Sequence, residues 1–258
     1  MSSNRLAGRT AVVAGSTSGL GRASAEALAQ LGANVVIVGR RGDLAESVAA
    51  SLPAAHGVEA DVTTVEGTER IVTAAQDRFG EVDILVLNGG GPGRMLAADL
   101  DADSAQKAID QLLLPHVRLT SRLLPHMRES GWGRVVAIGS TGVQQPIERL
   151  VASNLGRAAL AGYLKTLAGE VAGDGVTVNM VLPGRFATDR VTSVDAANAE
   201  QSGLPLEDVV RASQSSIPAG RYGRPEEFGA VVAFLASPEA SYVTGEQIRC
   251  DGGQVRHH

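Results

Sequence analysis

The chain has a single cysteine, Cys250. No internal disulfide can form, and a reducing compartment, the cytoplasm, is expected. Aromatic residues make up only 3% of the chain, so a core must be assembled from Ala, Val, Leu and Ile. No apolar run approaches the roughly 18 residues of a membrane span. Residues 1–8 are polar and hold no apolar signal core. Runs of basic residues are also missing, and the net charge is −5, which argues against nucleic acid as a partner. No metal site is expected. His257 and His258 read as a tag remnant and are assigned no chemistry.

What is present is enough apolar residue, 44%, for a large core, in a chain of 258 residues that suits one undivided α/β domain over 1–258. Its organising stretch is residues 10–21, T-A-V-V-A-G-S-T-S-G-L-G. A short apolar run leads into Gly15, Gly19 and Gly21, and helical composition follows over 22–31. Glycines at a strand-to-helix turn let backbone N–H groups approach a pyrophosphate that side chains would hold off. The spacing G-x-x-x-G-x-G differs from the dinucleotide fingerprint G-x-G-x-x-G, and an ordinary tight turn is the alternative reading. A second buried strand, 34–38, ends in Gly39-Arg40-Arg41. In a dinucleotide fold this place meets the adenosine ribose, where an acid would repel a 2′-phosphate. With Arg40 and Arg41 there, NADP(H) is favoured over NAD(H), the alternative being a solvated basic turn.

The remainder alternates. A helix is expected over 43–51, then a strand over 54–60 closed by Asp61 and Val62. Thr63 or Thr64 would cap a helix over 65–79. A buried strand over 82–87 runs into Asn88, Gly89, Gly90, Gly91, Pro92 and Gly93, too glycine-rich for packing and suited to backbone against a flat ligand. A long helical segment over 103–129 is interrupted by Pro115, which would free the carbonyl of Gln111. A strand over 133–139 ends at Ser140, and an Ala/Leu-rich helix follows over 150–172. A strand over 176–182 ends in Pro183 and Gly184. Residues 188–216 are polar and are expected as an irregular lid or substrate loop. A helix over 224–235 and a strand over 246–250 close the pattern. Alternation of this kind implies a doubly wound α/β fold with a parallel sheet and a crevice at the carboxyl ends of the strands. Gly15, Arg40, Asp61, Asn88, Ser140 and Pro183 all fall at such ends.

Over essentially its whole length the chain resembles the short-chain dehydrogenase/reductase family, in its 3-oxoacyl-ACP reductase-like branch. The matching pieces are A-G-S-T-S-G-L-G (14–21), A-D-V (60–62), L-N-G-G-G (87–91), G-R-V-V-A-I-G-S (133–140), V-N-M-V-L-P-G-R-F-A-T-D (178–189), G-R-P-E-E (223–227) and D-G-G (251–253). The resemblance implies a three-layer Rossmann-type fold with a seven-stranded parallel sheet. It implies a nicotinamide cofactor along Gly15, Ser16, Thr17, Ser18, Gly19, Leu20 and Gly21, then Asp61-Val62 and Asn88-Gly89-Gly90. Pro183, Gly184, Phe186 and Thr188 would border the nicotinamide and pyrophosphate. The family's chemistry uses Asn, Ser, Tyr and Lys. Ser140 matches the serine, but the other three places hold Leu112, Ser153 and Arg157.

A serine hydroxyl is a weaker and shorter acid than a phenol, and an arginine does not shuttle protons. Ser140, Ser153 and Arg157 are the candidate catalytic residues, with Arg157 also placed on the cofactor ribose. Tyr163 would face away, towards core or oligomer packing. His116 is either a titratable acid or a helix-contact histidine. Arg94, Arg149, Arg185 and Arg190 are placed to converge on the crevice mouth, where two or more would suit an anionic small-molecule substrate. The expected activity is an NADP(H)-dependent oxidoreductase with a non-standard proton donor. The alternatives are non-redox chemistry (isomerase, dehydratase or cyclase) and an inactive nucleotide-binding sensor or partner. The long apolar helices around 118–124 and 155–167 resemble the family's assembly surfaces, so a homotetramer is expected.

Overall fold

The computed structural model describes residues 4–256; His257 and His258 lie outside the described residues. Seven parallel strands form one sheet in the order β3-β2-β1-β4-β5-β6-β7. They are β1 Thr10–Val13, β2 Asn34–Gly39, β3 Ala55–Glu59, β4 Ile84–Leu87, β5 Gly133–Ile138, β6 Val176–Pro183 and β7 Gln247–Cys250. Strands β1, β4 and β5 are buried at every position, as runs covered on both faces must be. The pairing is tight in register: Val12 lies between Val36 and Leu85, and Val86 lies beside Val136.

Helices cover both faces: α1 Gly19–Gln30, α2 Gly42–Ala50, α3 Val65–Phe79, α4 Ala102–Leu112, α5 Leu114–Glu129, α6 Val151–Val171, α7 Asp189–Ser202, α8 Leu206–Ser215 and α9 Pro225–Ala236. One apolar layer joins α3, α5 and α6 to the sheet, and a second joins α1, α2 and α9 to its other face. Leu, Val, Ile and Ala fill both layers, as the scarcity of aromatics requires. Thr64 is the cap of α3, accepting from the Gly67 N–H at 2.9 Å.

Two expectations are corrected. The segment over 103–129 is two helices, not one with a flaw. Leu113 separates them, and Pro115 stands in the first turn of α5, where its missing N–H leaves no bond unmade. Residues 188–216 are not irregular: they form α7 and α8. The direction in which successive strands are added to the sheet reverses between β1 and β4, and the crevice opens there, at the carboxyl ends.

Candidate active site

At the end of β1 the chain turns through Gly15 and Gly19, each with φ of +57°. Gly21 allows no side chain: a Cβ there would lie 2.3 Å from the Gly15 carbonyl oxygen. Asn88 holds the turn from the next strand, its Nδ2 donating to the carbonyls of Ala14 at 3.2 Å and Gly15 at 3.0 Å. The helix that follows, α1, has no side-chain cap at Ser18 and no acid in its first turn. Its first N–H groups therefore present an unblocked partial positive charge. Gly15, Ser18, Gly19, Leu20 and Gly21 line a cleft of about 1100 Å³ together with Asn88, Gly89 and Gly90. A Cβ at Gly89 or Gly90 would meet nothing within 4 Å, so the backbone there is bare towards the cleft. This cradle fits a pyrophosphate.

The other residues of the loop are placed differently. Ser16 is fully buried, donating to the Val13 carbonyl at 2.6 Å and accepting from the Val38 N–H at 2.9 Å. Its hydroxyl ties β1 to β2 and is turned from the cleft. Thr17 packs on Gly39, where any Cβ would strike its methyl group. Arg40 and Arg41 are exposed at the end of β2, beyond the main cleft but next to Thr17. Arg40 is near enough to Asp61 to help lower the latter's pKa, after the stronger effect of hydrogen bonds from Thr63. Val62 packs against the core instead of opening to the cleft.

Across the cleft, Ser140 follows β5. Its Oγ accepts from the Gly142 N–H at 3.0 Å, which leaves the hydroxyl proton free to donate. On α6, Arg157 donates through Nη1 to the carbonyls of Ile138 at 2.9 Å and Gly139 at 3.0 Å. Its Nε lies 3.4 Å from Ser153 Oγ. A Cβ at Gly91 would have the Arg157 Nη2 and the Ser153 Oγ as neighbours at 3.7 and 3.8 Å, so both reach one spot on the cleft wall. Burial, and secondarily Arg190, lower the Arg157 pKa to about 10, still charged at neutral pH. Ser140, Ser153 and Arg157 thus share the cleft with Pro183, Gly184, Phe186 and Thr188.

Leu112 is buried against Gly156, the neighbour of Arg157. His116 Nδ1 lies 2.9 Å from the Leu112 carbonyl, and burial pushes its pKa down to about 4. It is a neutral core histidine, the second of the two readings of this residue. Tyr163 is half-buried against the core and does not line the cleft. All four of Arg94, Arg149, Arg185 and Arg190 do. Sequence reasoning missed Gln111, whose Nε2 donates to the Gly90 carbonyl at 3.0 Å and anchors the glycine run. Its position beside Leu112 was the available signal. It also missed Asp195, buried under the cleft and bonded to Arg185 and Tyr222.

A family model described as enoyl-(acyl carrier protein) reductase matches residues 14–254. The chain belongs to the short-chain dehydrogenase/reductase family. It is 34% identical to the 3-oxoacyl-[acyl-carrier-protein] reductase FabG of Vibrio harveyi, over 96% of this chain and 98% of that protein. The FabG of Vibrio cholerae is 35% identical over the same shares. Among solved structures, L-sorbose reductase from Gluconobacter frateurii, complexed with NADPH and L-sorbose, superposes with a TM-score of 0.93 at 31% identity, covering all of both chains. YwfH, an NADPH-dependent reductase involved in bacilysin biosynthesis, has a TM-score of 0.91 at 27% identity, over 97% of this chain and 99% of that one. Within this family fold, the bare glycine cradle and Ser140 lie on facing walls of one cleft. No helix among the described residues is long and apolar enough to cross a membrane.

Proposed function

We propose that the chain is an NADP(H)-dependent oxidoreductase of this family, acting on a carbonyl or alcohol through a proton donor other than tyrosine. The observation that carries the reading is the uncapped α1 N-terminus behind Gly15, Gly19 and Gly21, with Arg40 and Arg41 beside it. The helix end would take the pyrophosphate and the two arginines a 2′-phosphate. The NADPH-dependent relatives support the same cofactor. When bound, the nicotinamide supplies or accepts the hydride. Ser140 donates its free hydroxyl proton as a hydrogen bond to the substrate oxygen. Arg157 fixes the end of β5 through Nη1 and turns Nη2 to the cleft, where it would hold the cofactor ribose. Ser153, at the place the family gives to tyrosine, passes a proton between solvent in the cleft and the substrate oxygen, with the Arg157 cation favouring its alkoxide.

One observation favours a second reading. Arg157 commits Nη1 to two carbonyls, and the Leu112 carbonyl is closed by His116, so the wall offers few groups that move a proton. In that reading Ser140 and Arg157 serve as oxyanion donors for isomerisation, dehydration or cyclisation. A nucleotide sensor without turnover would keep the same cradle. The enzyme is placed in the cytoplasm on its single cysteine. It is read as a homotetramer on the small outward face of α6 and the exposed Phe234 and Tyr242.

The test is titration with NADPH and NADH, followed by a carbonyl panel read at the nicotinamide absorbance. Preferential NADPH binding with turnover is the expected result. Binding without turnover on any carbonyl would transfer the reading to non-redox chemistry or sensing. Binding of neither nucleotide would overturn the cradle assignment.

A further inference from the structure

One wall of the cleft is built where the segment after β4 meets the segment before α6. Met95 and Leu150 form an isolated parallel bridge there, and the Met95 N–H donates to the Arg149 carbonyl at 2.8 Å. That register sets Arg94 alongside Arg149. Cations set side by side on neighbouring strands repel. Arg149 also has φ of +60°, the left-handed region that side-chain-bearing residues avoid, and no other non-glycine among the described residues does this. Strain of this kind collects at binding sites. A third cation, Arg190, stands in the first turn of α7, the end of a helix that disfavours positive charge.

These charges are poorly answered within the protein. Arg185 is paired with the buried Asp195 at 2.9 Å, and Arg94 donates to the neutral Asn198 amide oxygen at 2.8 Å. Arg149 and Arg190 make no ion pair among the described residues. Two carboxylates, Glu148 and Asp189, line the same cleft, and no ion pair joins either to a cleft arginine. On the reductase reading the cofactor's phosphates go to α1 and the Arg40-Arg41 pair, which leaves the cleft arginines to another anion. We propose that Arg149 and Arg190, with Arg94 beside them, bind an anionic oxygen group of the substrate, a carboxylate or a phosphate ester, in addition to its carbonyl or alcohol. Guanidinium groups hold both bidentately. This proposal rests on the reductase reading of the same cleft.

The test is calorimetric titration of the NADP⁺-loaded protein, which cannot reduce a carbonyl, with two matched pairs. One pair is 4-oxopentanoate and its methyl ester; the other is dihydroxyacetone phosphate and dihydroxyacetone. At least one charged probe should bind roughly tenfold more tightly than its neutral partner. The pair that shows the preference identifies carboxylate or phosphate. Arg149→Gln and Arg190→Gln should each reduce the preference, and the double variant should remove it. Equal or better binding of both neutral partners, no binding of either charged probe, or a preference that survives in the double variant would overturn the proposal. Failure of NADP⁺ to bind sinks the reductase reading separately, and the same titrations on the cofactor-free protein then decide the charge preference.

Discussion

His116 shows how a single residue sets a pH dependence. Its ring is 4% exposed, and Nδ1 faces the Leu112 carbonyl, which can only accept, so Nδ1 carries the proton of a neutral ring. Burial is the main cause of the lowered pKa, and the Arg157 cation adds to it. The folded value of about 4 lies below the ordinary imidazole value of 6.5, so between these two the unfolded chain binds a proton that the folded chain does not. Stability is therefore full above the unfolded pKa and falls as pH drops through that window, by about 3 kcal/mol at most. Thermal unfolding at pH 7 and pH 5 should show the loss, and His116→Gln should flatten it. An unchanged pH slope in that variant would remove His116 as the cause. A glycine in the cradle makes a different prediction. Gly21→Ala puts a methyl group into the Gly15 carbonyl and must move the turn. NADPH affinity should fall at least about tenfold, while the sheet, which Gly21 does not join, keeps its circular dichroism. Unaltered affinity would mean the phosphates lie elsewhere.

At the scale of elements, α7 is held over the cleft chiefly by one buried carboxylate. Asp195 accepts from Arg185 at 2.9 Å and from the Tyr222 hydroxyl at 2.6 Å, and it is 1% exposed. Asp195→Ala would leave the Arg185 charge without its carboxylate and the Tyr222 phenol without its acceptor. Because the Arg185 side chain is 30% exposed, the cost is put at about 2 kcal/mol, below the figure for a fully buried pair. Amide exchange should accelerate over 189–202 before the sheet is affected; uniform acceleration across the chain would deny α7 any independent attachment. Arg211→Ala, which removes an exposed pair with Asp208, should change neither. This helix also marks the limit of what the sequence disclosed. Strands β1, β4 and β5 were legible because each is a short apolar run covered on both faces, whereas β3 and β7 are only partly buried and were read from the alternation. The glycine cradle was legible because few other uses exist for that spacing. Helix α7 was not, since it faces a wet cleft, buries only Asp195, and so lacks the apolar stripe by which helices are read. Pro115 was legible as a break, but whether it flawed one helix or opened another depended on Leu113 and on packing. The Met95–Leu150 bridge joins residues far apart in the chain and leaves no local signal.

For the whole molecule, two different surfaces are exposed beyond the sheet. On the α6 side, Ala158, Gly162, Thr166 and Gly169 are exposed at helical spacing, and a Cβ on Gly162 or Gly169 would meet nothing within 4 Å. Small residues let another helix approach closely. On the other side of the sheet, Phe234 of α9 is 46% exposed, and Tyr242, ahead of β7, is fully exposed. The homotetramer proposed above, closed by two-fold axes, needs two separate self-complementary patches, and these two exposed surfaces are its candidates. Sedimentation should therefore give four chains per particle. Gly162→Arg should block the first patch and leave dimers. Phe234→Asp with Tyr242→Asp should block the second and also leave dimers, and all three together should leave single chains. The glycine cradle and Arg157 belong to one chain, so the dimers are expected to still bind NADPH. A wild-type protein sedimenting as a single chain would refute the assembly, and a tetramer that survives Gly162→Arg would remove α6 from its interface.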